Sequence, residues 1–408
     1  MVFIYRFLKK IAHKKLYKVE LLLCFSFFFF CSPSVDDLIK KAKDELLKEN
    51  SYEALRYFQK AFEVSLPDEF FLADRDIAFS MITVSADRSK ALLLEKEKTK
   101  KNENIFWIID LKDKDELKEK IKGKVYYTVL SPKGRYALFS IFSQNKKIDI
   151  PKDIPKESDE ESDEEFIEEE NCAIWIWDNQ KEIFIPTADL LLNCYQKPAV
   201  SEEGIVLFIL NEKISAYDIN KNPFVYQFVE EEPVPPVKKL NNIGSFFFST
   251  NNNPYFLYGV FGRYDFYAII DKKIKKITNE ASFSHVFFLG QDEVPGVFLG
   301  GASEHKMVFY KISDQVEIDF QFPIKEWKNG AFISRDHYFY LMGSRLIEKK
   351  NDKEKEMPFW GSQIYAGLQN ELCFLSPLGT ALIYKGNIPD PKSVLIFEKG
   401  WELDESDK

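Results

Sequence analysis

From about residue 76 onward, short apolar runs alternate with clusters of Ser, Pro, Asn, Asp and Gly. Within the runs, hydrophobic and polar positions follow a period near two, the signature of β-strands separated by tight turns. The clearest instance is SPKGRYALFS, residues 131–140, which follows VYYTVL, residues 125–130. Proline pre-sets φ and glycine accepts a positive φ, so the two apolar runs read as one hairpin. After a long charged tract comes CAIWIWDNQKEIFIP, residues 172–186, a second hairpin turning at Asp178 and Asn179. Two hairpins make a four-stranded antiparallel unit.

The unit recurs. Its strand–turn–strand half reappears from Ile82, Ala199, Phe246, Val286, Ala331 and Ile364, which with the Ser131 copy makes seven. The partner hairpin reappears from Ile105, Ile214, Asp265 and Lys306, and near the end as ALIYKG with VLIFEKG. It is weakest after Met342, where SRLIEKKNDKEKEMPF is mostly charge. Outside the charged tract the copies are spaced by roughly 35 to 48 residues, in the range of a propeller blade. A four-stranded sheet with two apolar faces cannot stay in water alone, and radial packing buries both faces while leaving short edges. The expected fold is all-β: a seven-bladed β-propeller of four-stranded antiparallel blades, preceded by a short helical hairpin.

These units resemble TolB-like and WD-like β-propeller repeats, in which a Ser-Pro-Asp-Gly turn precedes an apolar strand and an aromatic-aliphatic-Asp strand follows. The resemblance covers about residues 76–401 and is best at Ser131, Pro132, Gly134 and Phe139, and at Tyr267, Ile269, Asp271 and Thr278.

Between residues 35 and 65 the period changes to about three and a half. Leu38, Ala42, Leu46 and Leu47 make one apolar face; Ala54, Leu55, Tyr57, Phe58, Ala61 and Phe62 make another, with a turn at Asn50 and Ser51. The pair resembles a single tetratricopeptide repeat, with Tyr52, Ala54, Phe58 and Ala61 near that family's small and large positions. One such repeat cannot bury its own face, so it needs a surface to pack on.

Ahead of it, Arg6, Lys9, Lys10, Lys14, Lys15 and Lys18 form a basic segment, then LLLCFSFFFF an apolar run, then CSPS. This is the layout of a signal peptide, too short for a comfortable transmembrane span. Cys31 resembles the lipidation site of a bacterial lipoprotein of the loose-box, spirochete-like kind, with Phe28, Phe29 and Phe30 in place of the usual Leu-Ala-Gly. The expected organisation is a signal peptide over 1–30, a lipid-anchored linker and helical hairpin over 31–68, the propeller over 69–401 and an acidic tail over 402–408. The resemblance implies a cell-envelope location, anchored to the inner or outer membrane.

Charge narrows the partners. The chain carries 56 basic and 65 acidic residues. Removing residues 1–30 leaves 50 against 64, a formal charge of −14. Such a chain is a poor match for nucleic acid phosphates. Beyond Cys31, Cys172, Cys194 and Cys373 remain, an odd number that reads as buried free thiols, with a Cys172–Cys194 bridge the alternative in an exported chain. Of the histidines, His13, His285, His305 and His337, none has a second ligand at metal spacing, and no glycine-rich phosphate loop or Gly-x-Ser-x-Gly elbow is present. No metal or cofactor is expected.

The reading is therefore a non-enzymatic envelope scaffold that binds protein partners. The alternatives are a structural component of an outer-membrane or envelope assembly machine, and a carbohydrate-active propeller enzyme with paired carboxylates at the channel mouth. The turns at Ser85, Ser131, Ser201, Ser249, Gly290 and Ser334 occupy equivalent places and are expected to ring one end of the propeller. Their charged residues, Asp87, Arg88, Lys133, Glu202, Glu203, Asp292, Glu293, Arg335 and Asp336, are the candidate partner-binding face.

The tract KESDEESDEEFIEEEN, residues 156–171, holds ten carboxylates between Glu157 and Glu170, part of an insertion over about 151–171 that breaks the second unit between its hairpins. Like charges at that density repel and form no core, and the spacing of a calcium loop is missing. Deleting residues 156–171 is expected to leave the melting temperature level, or to raise it at low salt, because loop closure depends weakly on length and repulsion is relieved. A fall of many degrees in a thermal melt would show that the tract packs on the body.

Overall fold

In the computed structural model the described residues are 33–96, 103–143, 171–185, 187, 190–210, 213–221, 225–227, 229–230, 242–260, 263–271, 273–281, 285–289, 294–300, 305–312, 315–324 and 329–386. The expected signal peptide, Cys31, the core of the acidic tract, Asp292, Glu293 and the tail lie outside them. Two compact units divide the chain between Pro67 and Asp68.

The first unit is a helical hairpin of α1 (Val35–Leu47) and α2 (Ser51–Ser65). A capping box starts α1: the Asp37 N–H donates to Ser34 Oγ, and the Asp37 carboxylate accepts from the Ser34 N–H. The two satisfy backbone donors that a helix start leaves open. Leu38 and Ala42 are buried, as are Ala54, Phe58, Ala61 and Phe62. Tyr52, placed by the tetratricopeptide resemblance, is 77% exposed. It stands in the first turn of α2, outside the buried stripe.

The second unit is a seven-bladed β-propeller. Blade 1 is β1 (Phe79–Val84), β2 (Lys90–Glu95), β3 (Glu103–Asp110) and β4 (Glu116–Lys122). Blade 2 is β5 (Val125–Leu130), β6 (Tyr136–Phe142), β7 (Asn171–Asp178) and β8 (Ile183–Ile185), with β9 (Leu191–Asn193) also on β7. Blade 3 is β10 (Ala199–Val200), β11 (Ile205–Leu210), β12 (Lys213–Asp218) and β13 (Val225–Gln227). The short β14 (Val229–Glu230) pairs in parallel with the last strand of blade 4. Blade 4 is β15 (Asn242–Phe248), β16 (Pro254–Val260), β17 (Arg263–Ile270) and β18 (Lys273–Ala281). Blade 5 is β19 (Phe287–Leu289), β20 (Val294–Gly300), β21 (His305–Ile312) and β22 (Val316–Ile324). Blade 6 is β23 (Asn329–Ser334), β24 (His337–Met342), β25 (Arg345–Lys350) and β26 (Lys353–Trp360). Blade 7 is β27 (Gln363–Ala366), β28 (Leu372–Leu375) and β29 (Ala381–Tyr384).

The segment ahead of blade 1 completes blade 7. Phe71 bridges antiparallel to Leu382 of β29, and the Leu72 N–H donates to the Ala381 carbonyl at 3.0 Å. Residues 394–400, read from the sequence as that outer strand, lie outside the described residues. Strand β1 is tied to blade 7 as well: the Ile82 N–H donates to the side chain of Gln363 on β27 at 3.0 Å, and the Phe79 N–H to the carbonyl of Gly379 in the β28–β29 turn at 2.7 Å. One apolar cluster, holding Leu72, Phe79, Leu93, Trp107, Leu375 and Ile383, therefore mixes residues from both ends of the ring.

The charged stretch after Met342, the least blade-like in the sequence, is a regular hairpin. Asn351 and Asp352 both take positive φ, 50° and 61°, as a two-residue hairpin turn requires. Leu346, Ile347, Met357 and Phe359 supply its buried positions. Sheets merge elsewhere: blades 4 and 5 share a pairing at Ala281 and Leu299.

The expectation of free thiols at Cys172 and Cys194 is corrected: the two form a disulfide. The outer edge of β7 is shared between two short strands, β8 beside Ile176 to Asp178 and β9 beside Asn171 to Ala173. The return of β9 sets Leu192 opposite Cys172 and brings the Cys172 and Cys194 Cα atoms to 4.9 Å, within bridging reach. Cys373 is buried and free, and burial pushes its thiol up to about 12.

The bridge closes a sequence separation of 22 residues. A loop of that length implies about 3 kcal/mol of stabilisation through the unfolded chain. The Cys172→Ser, Cys194→Ser double variant is expected to melt roughly 4–6 °C below the parent under oxidising conditions. Adding reductant should remove that difference; an unchanged melt without reductant would show that the bridge does not form.

Candidate functional site: the turn face and the central channel

One device repeats at the turns that join the first and second strands of blades 1 to 4. Ser85, Ser131, Ser201 and Ser249 are each buried, and each Oγ accepts an N–H from across its turn. The donors are Lys90, Tyr136, Ile205 and Asn253, at 3.0, 2.9, 3.0 and 3.2 Å. This explains why a serine survives where the rest of the motif fades. The same device at Ser376 joins β28 to β29, with Thr380 as donor at 3.1 Å.

Three residues after each serine the backbone turns left-handed. Gly134 and Gly204 take φ of 73° and 86°, and Asn252 takes 61°. Blade 1 places Arg88 there, at 62°. Left-handed backbone costs an ordinary residue about 1–2 kcal/mol relative to glycine, so the arginine sits where the turn itself favours another residue.

The turns are tied to one another. The Asp87 N–H donates to the Pro132 carbonyl at 2.9 Å, linking blade 1 to blade 2. Glu202 accepts from Ser131 Oγ at 2.7 Å and from the Lys133 N–H at 2.9 Å, linking blade 2 to blade 3. Asn252 accepts the Glu202 N–H at 2.9 Å and donates to Glu203 at 2.7 Å, linking blade 3 to blade 4.

The structure distributes the charged turn residues among different tasks. Asp87 accepts from Ser85 Oγ, the Ser89 N–H and Ser89 Oγ, and so folds its own turn. Glu202 and Glu203 join the girdle just described. Lys133 and Asp336 are exposed. Arg335 pairs with Asp319 of blade 5 at 2.7 Å. Arg88 turns inward, donating to the Phe332 carbonyl of blade 6 at 3.1 Å.

That inward direction leads into the central channel. A cavity of about 300 Å³ is lined by residues of the first strands of all seven blades or of the segments flanking them, and it reaches the turn residues Ser85, Ala86, Arg88 and Thr250. Its charged lining consists of Arg88 and Lys197, with His285 beside them; no carboxylate is among the described lining residues. Burial lowers the pKa of both Arg88 and Lys197. Burial, and then the Lys197 charge, push His285 down to about 3, so its imidazole is neutral at ordinary pH. Its ring sits edge-on to Phe247 and Phe287, at 5.3 and 4.6 Å between centroids. Tyr127 and Tyr365 also line the wall, and burial raises both phenols, Tyr365 to about 12.

The condition for a two-carboxylate glycosidase mechanism, a pair of acids about 5 to 9 Å apart at the mouth, is not met by this lining. Among the described residues no group of three or more His, Cys, Asp or Glu is placed to hold a metal ion. His337 instead contacts Glu348 at 2.8 Å across blade 6. Sequence reading passed over Lys197 and noted His285 only as a histidine without a second ligand at metal spacing. Lys197 precedes Ser201 by four residues, as Tyr127 precedes Ser131, but at Ser85 and Ser249 the same offset falls on Met81 and Ser245, which do not line the cavity. The spacing from the turn serine therefore does not announce a channel-lining residue.

No family model matches the sequence, and no curated protein matches it. Three solved structures of similar chain trace are low in identity. The β-propeller domain of the trilobed protease from Pyrococcus furiosus, described as having an open velcro topology, is 12% identical at a TM-score of 0.46, covering 76% of this chain and 96% of that one. Dipeptidyl peptidase 4 from Porphyromonas gingivalis is 9% identical at 0.42, over 72% of this chain and 49% of that one, so this chain spans about half its length. TolB from Acinetobacter baumannii is 14% identical at 0.37, over 81% and 69%. The expectation that the chain is not an enzyme is corrected by this finding: two of these three propellers belong to peptidases, and the fold gives no ground for excluding catalysis.

Proposed function

We propose that this chain is an exported β-propeller, held to a membrane by lipid on Cys31, that binds a protein partner through the face carrying the serine turns. The observation behind this reading is the girdle that runs from Asp87 through Pro132, Glu202 and Asn252. Association costs free energy for every loop that must be ordered, and turns already fastened to their neighbours reduce that cost. The strands themselves are consumed by packing, which leaves recognition to loops at the channel ends. The Cys172–Cys194 disulfide supports the export half of the proposal, because such bridges persist in oxidising compartments.

Two measurements test the two halves separately. Palmitate labelling is expected to mark the parent chain and not the Cys31→Ser variant; equal labelling of both overturns the anchor. For the face, a photo-crosslinking amino acid is placed at Lys133, at Asp336 or at Lys181 of the full chain in cells. Lys133 and Asp336 stand exposed on the turns that join the first and second strands of blades 2 and 6, and Lys181 stands exposed in the β7–β8 turn, farther out along the same end of blade 2. Adducts to one common protein are expected from positions 133 and 336 and not from 181. Adducts from 181 alone would move the partner from the serine turns to the outer circumference of the ring.

A further inference from the structure

We propose that the Cys172–Cys194 disulfide is a redox-operated latch on a strap that ties blade 2 to the junction of blades 3 and 4, and that a dithiol reductant releases the strap while the propeller stays folded. This goes beyond the partner-binding reading and does not depend on it.

The strap runs from β9 to Lys197. It begins on the outer edge of blade 2, where β9 pairs with Asn171 to Ala173 of β7 and seats Leu192 in the core between blades 2 and 3. A tight turn follows: the Tyr195 N–H donates to Asn193 Oδ1 at 2.9 Å, and the Gln196 N–H to the Asn193 carbonyl at 3.0 Å. Gln196 then takes the part of a strand backbone. β10 pairs with β11 so that Ala199 stands opposite Leu207, a register that carries Lys197 opposite Ile209. There the Gln196 side chain serves both groups of Ile209: Oε1 accepts its N–H and Nε2 donates to its carbonyl, each at 3.1 Å. The Lys197 backbone turns instead to blade 4. Its N–H donates to the Gly244 carbonyl and its carbonyl accepts the Phe246 N–H, both at 2.9 Å. One short run thus fastens three blades in turn, at the end away from the serine turns, and its last residue reaches the wall of the central cavity.

The bridge from Cys194 to Cys172 is the covalent fastening of this strap. A three-residue strand on an outer edge is the kind of element that opens locally at low cost, long before the rest of a blade. With the bridge closed, such an opening leaves the outer end of the strap tethered. With the bridge reduced, that end is held by non-covalent contacts, and the slack reaches Gln196 and Lys197. Cys172 is fully buried and Cys194 is 5% exposed in its turn, so an attacking thiolate meets the Cys194 sulfur when β9 lifts. The reductant thiolate bonds to Cys194 Sγ, the bond between the two Sγ atoms breaks, and Cys172 leaves as a thiolate that takes a proton from water. The second thiolate of the reductant then displaces Cys194, so the chain gains a pair of thiols and the reductant becomes a disulfide.

The test is stepwise reduction of the folded full chain with dithiothreitol, read by iodoacetamide alkylation and by hydrogen exchange. Cys172 and Cys194 are expected to be alkylated while the buried Cys373 stays protected and the circular dichroism spectrum is unchanged, which separates local release from unfolding. The amides of Lys197, Ile209 and Phe246 should exchange about tenfold faster or more after reduction, with those of β2 and β24 unchanged, and reoxidation should restore the slow exchange. The Cys172→Ser, Cys194→Ser double variant should show the fast exchange from the outset and no response to dithiothreitol. The proposal is overturned if Cys172 and Cys194 resist dithiothreitol in the folded chain, if Cys373 is alkylated together with them, or if exchange at the three strap amides is unchanged by reduction.

Discussion

Ring closure is the constraint on which the propeller depends. Each blade has two apolar faces, and every buried cluster found between neighbours draws on both: Phe106 of blade 1 with Phe139 and Trp177 of blade 2, Phe246 of blade 4 with Leu207 of blade 3, Phe309 of blade 5 with Phe332 of blade 6. A missing neighbour would leave one such face in water. The seam between blades 7 and 1 carries the same burden. It is met by Phe71 beside Leu382, by Gln363 reaching the Ile82 amide and by the mixed cluster around Phe79 and Trp107. Between blades 6 and 7, Phe359 meets Phe374 and Tyr384 at 5.2 and 5.5 Å.

How much of this was legible follows from the range of each interaction. The strand rhythm and the turn serines are local, so blade number and blade type could be read from spacing alone. The hairpin after Met342 was read poorly because its charged residues sit on an exposed face, and only Leu346, Ile347, Met357 and Phe359 carry the buried pattern. The Cys172–Cys194 pairing depends on a three-residue strand, β9, folding back across an edge that β8 also occupies. No local periodicity announces a strand that short. The inward turn of Arg88 is likewise a long-range outcome: the sequence counts it among turn charges, and only the curvature of the ring brings the Phe332 carbonyl within its reach.

The turn face shows how charge can be structural without being buried. Asp87 and Glu202 read as surface acids, yet each satisfies donors that a tight turn would otherwise leave to water. A carboxylate accepting two or three such bonds fixes loop geometry at little cost in solubility. The consequence is a division of roles along one short motif. The serine holds its own turn, the Asp87 carboxylate does the same, Glu202 holds the neighbouring turn, and the left-handed position, where it is not glycine, either joins the girdle as Asn252 does or turns inward as Arg88 does.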